Sequence, residues 1–224
     1  PLEEYLLKLP GNSRNVSQKG NVAPLNEPDG KTLKARYSKP YVMHGSIGPS
    51  CAVALYEKET LHIWTHSQGV YPLQETLQKL LNIPRERIHV KGVPGSGCYG
   101  HNGADDAAAD AALLAMAYPD KHVRLQWSRE EEHGWEPYGS AMIMQAEARL
   151  DENGHISHWR YALWSDSHST RPGGNPANLL SARYLSTPFI QKGGGYSGGA
   201  YRNSEPYYRI PNQQTDAHFF DGPL

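Results

Sequence analysis

The stretch Val93-Pro-Gly-Ser-Gly-Cys-Tyr-Gly-His-Asn-Gly-Ala-Asp-Asp106 runs directly into the alanine-rich segment 107–118 and decides how the chain around it folds. Its four glycines lie where a strand would lead into a helix. Glycine adopts positive φ and lets the backbone approach a ligand closely, and successive N–H groups of such a loop can converge on an anion. Because a helix N-terminus adds positive partial charge, this stretch predicts a loop that holds phosphate or an oxo group.

Elements of alternating type surround this loop on both sides. Short β-branched and aromatic runs predict strands, and leucines or alanines at helical spacing predict helices. In chain order the pattern gives strands 51–56 and 60–65, helix 71–82, strand 87–91, helix 104–118, strand 122–127, and a hairpin of 142–150 and 155–164. This alternation favours an α+β fold in which helices pack on a mixed sheet, with a β-hairpin in addition.

The two ends of the chain differ from this middle part. Residues 1–34 are rich in Asn, Ser, Pro and Gly after a short apolar segment, which predicts an irregular N-terminal arm or linker. Residues 35–224 are expected to form the domain itself. The abrupt start at Pro1 and end at Leu224 favour a fragment of a longer chain, truncated at the C-terminus.

Composition argues against several classes of function. The chain carries 22 basic and 23 acidic residues in no long block, so neither nucleic acid nor an anionic membrane is an expected partner. No apolar run approaches membrane-spanning length. Cys51 and Cys98 cannot by themselves hold an iron–sulfur cluster or build a disulfide framework. A hydrophobic fraction of 38% is low for a self-sufficient enzyme, which favours a subunit that packs against other polypeptide.

The loop also contains Gly95-Ser-Gly-Cys-Tyr-Gly100, the G-x-G-x-x-G pattern of dinucleotide-binding folds. The preceding strand argues against that interpretation, because Arg87, His89 and Lys91 alternate along it whereas a central parallel strand is nearly all apolar. A phosphate- or dinucleotide-binding domain stays an alternative function, and a tight turn without a ligand is the structural alternative.

A second candidate is Thr65-His-Ser-Gln-Gly69, which follows a predicted strand, where loops often face a ligand. Gln68 can donate and accept hydrogen bonds, which suits recognition of an oxo or sulfido group on a metal. From the spacing alone, a helix cap by Ser67 is favoured over that role. The histidine spacings form no convincing chelate, so no metal-ligating residue is assigned.

The order of the motifs is more specific than any one of them. The motifs are Tyr41-Val-Met-His-Gly-Ser-Ile-Gly-Pro-Ser-Cys-Ala52, Thr65-His-Ser-Gln68, Pro94 to Asp106, Trp127-Ser-Arg-Glu-Glu131 and Tyr208-Arg-Ile-Pro-Asn212. In this order, from about residue 35 onward, they resemble the molybdopterin-binding large subunit of the xanthine dehydrogenase and aldehyde oxidase family. The sequence of residues 98–106 most resembles that of the branch that contains the large subunits of isoquinoline 1-oxidoreductase and nicotinate dehydrogenase. Elsewhere in the family the loop reads Gly-Gly-Gly-Phe-Gly-Gly-Lys, so Cys98 stands at the phenylalanine position and Tyr99 replaces a glycine.

This resemblance implies a molybdenum hydroxylase, which places water-derived oxygen on an electron-poor carbon of an N-heterocycle or aldehyde. The implied cofactor is molybdenum–molybdopterin, in the cytosine dinucleotide form, with an incomplete site in this chain. Gln68 matches the catalytic glutamine that hydrogen-bonds an oxygen on molybdenum. The residues implied to bind the cofactor are Gly95, Gly97, Cys98, Tyr99 and Gly100. His101 and Asn102 follow them and are expected to face substrate.

The resemblance also implies partners: a two-iron iron–sulfur small subunit, the rest of the large subunit, and a cytochrome c as a further electron acceptor. The general-base glutamate of the family lies far downstream, and none of Glu130, Glu131, Glu132 and Glu136 matches it. The isolated chain is therefore expected to bind no cofactor tightly and to show no turnover. A non-catalytic assembly module of the same fold is a further alternative. The compartment stays open between cytoplasm and periplasm.

Overall fold

The computed structural model describes residues 2–22, 31–168, 171–191, 199–220 and 222, and its mixed architecture confirms the predicted α+β fold class. The described residues fall into two compact units. Residues 43–139 and 170–191 form the first, here called the loop unit because it contains the glycine-rich loop. The described parts of 1–42, 140–169 and 192–224 form the second, here called the hairpin unit.

Helices and strands follow the predicted pattern closely. The helices are α1 (Leu2–Leu6), α2 (Val70–Leu81), α3 (Ala104–Ala117) and α4 (Arg129–Trp135). The strands are β1 (Gly11–Lys19), β2 (Thr32–Lys39), β3 (Cys51–Glu57), β4 (Thr60–Thr65), β5 (Ile88–Gly92), β6 (Val123–Gln126), β7 (Met142–Leu150), β8 (Ile156–Ser165) and β9 (Asn212–Phe220). Short 3-10 turns lie at Arg85–Arg87, Pro176–Asn178 and Ser181–Tyr184. Each element predicted from periodicity is confirmed, with its ends shifted by about one residue at most.

The loop unit is built on a sheet of order β5-β4-β3-β6, with α2 and α3 packed on it. Alternate residues of β4 are buried, as in Leu61 and Ile63, and they meet Leu73 and Leu77 of α2. Each such fully buried aliphatic side chain contributes roughly 2 kcal/mol to folding. The other part of this core comes from alanines of α3, whose short side chains let the helix lie close against the sheet.

Strand β5, which leads into the glycine-rich loop, lies at the edge of this sheet. It pairs parallel with β4, whereas β3 pairs antiparallel with both β4 and β6. A dinucleotide-binding fold instead places the strand before its glycine-rich turn inside a parallel sheet. The strand arrangement therefore does not favour the dinucleotide alternative.

The hairpin unit contains a sheet of order β1-β9-β8-β7-β2, in which β7 and β8 form the predicted hairpin. Residues 11–19, expected to belong to an irregular arm, instead form β1, which pairs antiparallel with β9. This strand is held by backbone hydrogen bonds at the edge of the sheet, and its mostly exposed side chains show no hydrophobic alternation. The extent of the domain over 35–224 stays a prediction. In the part of the chain that the structure describes, the helices are too short or too polar to cross a membrane.

Candidate functional site

The parallel pair β4–β5 explains why the two predicted site segments meet. Parallel strands end at the same edge of a sheet, and the loops that follow them lie side by side there. The N–H of Val93 donates to the carbonyl of Thr65 at 2.9 Å, which extends the pairing to the last residue of β4. Gln68 follows β4 and the glycine-rich loop follows β5, so both leave the sheet at this edge.

Arg171 joins these two segments directly. Its Nη2 donates to Gln68 Oε1 at 2.7 Å and to the carbonyl of Gly100 at 3.4 Å. No sequence motif points to Arg171, because 103 residues separate it from Gln68 and it stands in a Pro- and Gly-rich stretch without periodicity. The structure thus brings the predicted glutamine and the predicted loop together through a residue that no motif indicated.

A buried carboxylate lies under this contact. Asp105 is 3% exposed in the first turn of α3, where the positive end of the helix dipole favours a negative charge. Its oxygens lie 2.5 Å from Ser67 Oγ, 3.4 Å from His101 Nε2 and 4.0 Å from Arg171 Nη1. Asp105 therefore lies against the loop itself and against two segments beside it, those of Ser67 and Arg171.

Ser67 does not cap α2 in the predicted way. The N-cap residue of this helix is Gly69, and no side chain caps it. The Ser67 hydroxyl accepts from the N–H of Gly69 at 3.0 Å and donates to Asp105. Its contacts therefore fix the turn between β4 and α2 to the start of α3.

The glycine-rich loop follows a path that few residues other than glycine adopt. Gly97 has a φ of 95° and Gly100 a φ of 136°, and a Cβ at Gly100 would overlap the ring of His44. Tyr99 also has a positive φ, 54°, which is uncommon for a large residue, and its ring lies beside Gly97. Cys98 Sγ donates to the carbonyl of Gly100. The loop is therefore packed tightly on one side, while Gly100 itself remains exposed on the other.

Asn102 and Gly95 complete the loop at its two ends. Asn102 is 2% exposed; its Oδ1 accepts from the N–H of Ala104 at 3.2 Å, and its Nδ2 donates to the carbonyl of Gly97 at 3.4 Å. These bonds tie the loop to the start of α3, and contact of Asn102 with substrate stays a prediction. Gly95 lies against the side chain of His66.

Two buried glutamates, Glu132 in α4 and Glu136 directly after its last residue, hold the segment 44–50 beside the loop. Glu132 accepts from the N–H of Ser50 at 2.6 Å and from its hydroxyl at 2.9 Å, and Glu136 accepts from the N–H of His44 at 2.5 Å. The N–H of Ile47 donates in turn to the carbonyl of Ser96 in the loop at 3.2 Å. Burial, followed by the negative charge of the neighbouring Glu132, raises the pKa of the Glu136 carboxyl.

His66 supports the same region as a neutral ring. Its Nε2 accepts from the N–H of Cys51 at 3.2 Å, so the proton of the neutral ring lies on Nδ1. Burial lowers the pKa of His66, although Glu132 and Asp105 oppose that shift. The imidazole therefore acts as a packing and hydrogen-bonding group at the base of the loop.

Asp106, next to Asp105, has a different role. It is 3% exposed and accepts from the N–H of Leu180 at 2.7 Å, which holds the 3-10 turns at 176–184 against α3. Burial raises the pKa of Asp106 to about 7, and the bond to Leu180 opposes that rise. Asp106 therefore titrates near neutral pH at the start of the helix that follows the loop.

The donors at this site are amide and guanidinium groups rather than metal ligands. Within the described ranges, no three His, Cys, Asp or Glu side chains are grouped so that they could hold a metal ion. Gln68, Arg171 and backbone N–H groups suit the oxo and phosphate oxygens of a cofactor that brings its own metal ligands. The residues present therefore fit a pterin-bound metal, with the exposed side of Gly100 left free for close approach. A cavity of about 450 Å³ in the hairpin unit contains none of the predicted site residues.

Comparisons with known proteins identify the family of this chain. The model of a family described as the molybdopterin cofactor-binding domain matches residues 8–182. The chain is 38% identical over 144 residues to a subunit of nicotinate dehydrogenase from Pseudomonas putida, a match that covers 64% of this chain and 12% of that protein. It is 23% identical over 155 residues to the aldehyde oxidoreductase molybdenum-binding subunit PaoC of Escherichia coli K12, which covers 68% of this chain and 20% of that protein.

Solved structures show the same fold. Aldehyde oxidoreductase from Desulfovibrio gigas matches with a TM-score of 0.69 at 16% identity, over 93% of this chain and 21% of that one. Quinoline 2-oxidoreductase from Pseudomonas putida 86 matches with a TM-score of 0.63 at 17% identity, over 92% of this chain and 25% of that one. The chain thus spans a quarter or less of the length of each of these relatives.

Proposed function

The chain belongs to the family of molybdopterin cofactor-binding domains, and from this premise we propose that Gln68 and residues 95–100 form one wall of the molybdenum–pterin site of a hydroxylase. The resemblance to the xanthine dehydrogenase and aldehyde oxidase family is confirmed by the family match and by the similarity to the nicotinate dehydrogenase of Pseudomonas putida. Gln68 is proposed as the catalytic glutamine, with Gly95, Gly97, Cys98, Tyr99 and Gly100 as the cofactor-binding residues.

The observation that carries this proposal is the bridge made by Arg171. Arg171 Nη2 donates to Gln68 Oε1 and to the carbonyl of Gly100. The side-chain amide of Gln68 and the backbone of the loop therefore lie next to each other, on either side of one guanidinium nitrogen. A loop of this kind binds a group by close backbone approach, and the amide adds a directed hydrogen bond. The tight packing of Gly100 against His44 keeps the loop backbone in position during binding.

When bound, the molybdenum–pterin group supplies the two-electron redox chemistry by which water-derived oxygen is placed on the substrate carbon. The residues of this chain orient that group and its surroundings. The substrate class is proposed to be an N-heterocycle or an aldehyde, in line with the names of the similar nicotinate, quinoline and aldehyde enzymes. The cytosine dinucleotide form of the cofactor is proposed from the family resemblance, and His101 and Asn102 are proposed to lie toward the substrate.

The two electrons are proposed to pass to a two-iron iron–sulfur small subunit and from there to a cytochrome c. The rest of a large subunit is proposed to close the site. The curated relatives are themselves named as single subunits of larger enzymes, which supports a multi-subunit enzyme. No general base is assigned, because Glu132 and Glu136 are engaged in holding the segment 44–50.

The test is the molybdenum content of the purified enzyme that carries this chain, measured by elemental analysis together with the nucleotide that acid releases. We expect one molybdenum per chain and cytosine nucleotide. Gly100→Ala should lose most of the molybdenum, because the new Cβ overlaps His44. Gly134→Ala is the matched control, since a Cβ there meets nothing within 4 Å.

Unchanged molybdenum in Gly100→Ala would contradict the proposed role of the loop, and guanine nucleotide would contradict the proposed cofactor form. Thermal melts of both variants check that the fold is retained. The chain by itself is predicted to bind no cofactor tightly and to show no turnover. One molybdenum per isolated chain with dye-linked hydroxylation would overturn that prediction.

A further inference from the structure

The contact between Arg171 and Gln68 decides which end of the Gln68 amide faces the site. A guanidinium has five N–H donors and no acceptor, so the group 2.7 Å from Arg171 Nη2 is the carbonyl oxygen Oε1. The two ends of a glutamine amide are distinguished only through such partners. With Oε1 bound to Arg171, the Nε2 hydrogens are the part of the amide that remains for a ligand.

We propose that Arg171 is a positioning residue that fixes Gln68 as a hydrogen-bond donor toward the bound cofactor. This inference rests on the proposed function, because it takes the partner of Gln68 to be an oxygen with lone pairs. A donor amide selects an oxo or other acceptor oxygen and disfavours a group that can only donate. The positive charge of Arg171 on Oε1 also polarises the amide and strengthens its N–H donors.

Hydrogen bonds of its backbone and of the turn that follows keep Arg171 in position to orient the Gln68 amide. Its backbone carbonyl accepts from Asn178 Nδ2 at 2.9 Å, and Asp105 Oδ2 lies 4.0 Å from its guanidinium. The turn that follows is attached to α2: the N–H of Gly174 donates to Thr76 Oγ1 at 2.9 Å, and Lys79 Nζ donates to the carbonyl of Gly174 at 2.7 Å. Gln68 lies two residues before the start of α2, so the turn that follows Arg171 is attached to the helix that follows Gln68.

The first test uses nuclear magnetic resonance on the 15N-labelled full chain without cofactor. The Gln68 side-chain signals are identified by their loss in Gln68→Ala. Gln68 is itself exposed, so we expect its two amide proton shifts to differ from those of other exposed glutamines because Oε1 is bound to Arg171. Arg171→Met should move them to the values of exposed glutamines, whereas Arg171→Lys should move them back at least half of the way.

Arg87→Met is the matched control, because Arg87 is similarly exposed in the same unit and pairs with Glu59 at the surface. It should leave the Gln68 signals unchanged. Unchanged Gln68 signals in a folded Arg171→Met chain would overturn the proposal. If Arg171→Met does not fold, the Gln68 amide proton shifts of Arg171→Lys are used instead. Shifts equal to those of other exposed glutamines would then also overturn the proposal.

The second test uses the molybdenum-loaded enzyme that carries this chain. Arg171→Met should lower kcat at least tenfold at equal molybdenum content, and the double variant Gln68→Ala with Arg171→Met should be no slower than Gln68→Ala alone. A further tenfold loss in the double variant would show that Arg171 acts independently of Gln68. If the native enzyme contains no molybdenum, the proposed function is refuted. The nuclear magnetic resonance test on the chain without cofactor would still show whether Arg171 orients the Gln68 amide.

Discussion

Among the described strands, each unit of the molecule has one parallel pair in an otherwise antiparallel sheet, and the two pairs end differently. After β4 and β5 in the loop unit come Gln68 and the glycine-rich loop. After β8 and β9 in the hairpin unit, Asp166 Oδ2 accepts from the N–H of Gly222 at 2.7 Å, and Ser165 Oγ lies 2.9 Å from His168 Nε2. The polar groups of the hairpin unit bond to one another, whereas the loop unit leaves the Nε2 end of an exposed amide and an exposed glycine backbone for the proposed ligand.

The ends of parallel strands therefore bring loops together but do not by themselves make a binding site. A ligand also needs donors that the protein leaves available and a backbone that permits close approach. The loop unit meets both conditions through the orientation of Gln68 and the conformation of Gly100. Five substitutions, two of them compared with each other, test this difference in order of decreasing effect.

Glu132→Ala should have the largest effect, because it leaves the buried N–H and hydroxyl of Ser50 without their carboxylate partner. We expect a loss of about 3–5 kcal/mol in the free energy of unfolding, measured by urea denaturation. Glu147→Ala, which removes a surface pair with Lys34 in the hairpin unit, is the control and should cost less than about 1 kcal/mol. Equal effects would show that α4 does not anchor the wall of the site.

Asp106→Asn should remove a pH dependence that belongs to the loop unit. Because the pKa of Asp106 is raised to about 7 from 3.8, the folded state binds its proton more tightly than the unfolded state. The contribution of Asp106 to the free energy of unfolding is therefore greatest below about pH 4, falls as the pH rises toward 7, and stays low above that. Asparagine keeps an acceptor for Leu180, so the variant should gain up to about 4 kcal/mol at pH 8.

Urea denaturation of the native chain and of Asp106→Asn at pH 5 and pH 8 measures this difference. The stability gain of the variant should be larger at pH 8 than at pH 5. Glu152→Gln, at an exposed position of the hairpin unit, is the control and should show no such difference. An equal gain at both pH values would contradict the titration of Asp106 near neutral pH.

Ser165→Ala and Gln68→Ala separate the two strand ends directly. Ser165 is fully buried, so its loss should cost about 1 kcal/mol and lower Tm by about 2–4 °C, with unchanged molybdenum content. Gln68→Ala should change Tm less and lower molybdenum-dependent turnover at least tenfold. A loss of molybdenum in Ser165→Ala would contradict the assignment of the site to the loop unit.

Tyr99→Gly should have the smallest effect. A tyrosine at a φ of 54° is strained, and glycine relieves about 1 kcal/mol of that strain while it increases the entropy of the unfolded chain. We expect Tm to rise by about 2 °C or less in a thermal melt. A fall in Tm would show that packing of the ring beside Gly97 outweighs the strain.

Local patterns predicted the elements of the fold but only part of the site. Helices α2 and α3 and the strands β3 and β4 follow from apolar spacing, because their buried faces impose a period on the sequence. Strand β1 carries no such period, because its partner β9 lies about 200 residues away. Backbone pairing and polar side-chain bonds join the two strands, such as that from Asn15 Nδ2 to Asp216 Oδ1 at 2.9 Å, and neither imposes an apolar alternation.

In the candidate site, too, local patterns do not predict contacts between residues that are distant in the sequence. Glycines mark the loop in any sequence, because their conformational freedom is a property of the residue itself. Gln68 was singled out by the resemblance, whereas spacing favoured a cap by its neighbour Ser67. Arg171 was missed, because its contact with Gln68 joins residues that are 103 positions apart and depends on the turn that attaches to α2.

Six alanines of α3 are fully buried: Ala107, Ala108, Ala109, Ala111, Ala112 and Ala115. Ala108, Ala111, Ala112 and Ala115 recur at helical spacing in the core of the loop unit, and because alanine has a small side chain, this face lets the helix lie close to the sheet. Replacement of Ala108 by valine would push the helix outward, and the first turn that carries Asp105 and Asp106 would move with it. Substitutions on this packing face can therefore change the dimensions of the proposed site while the sequence of the loop stays intact.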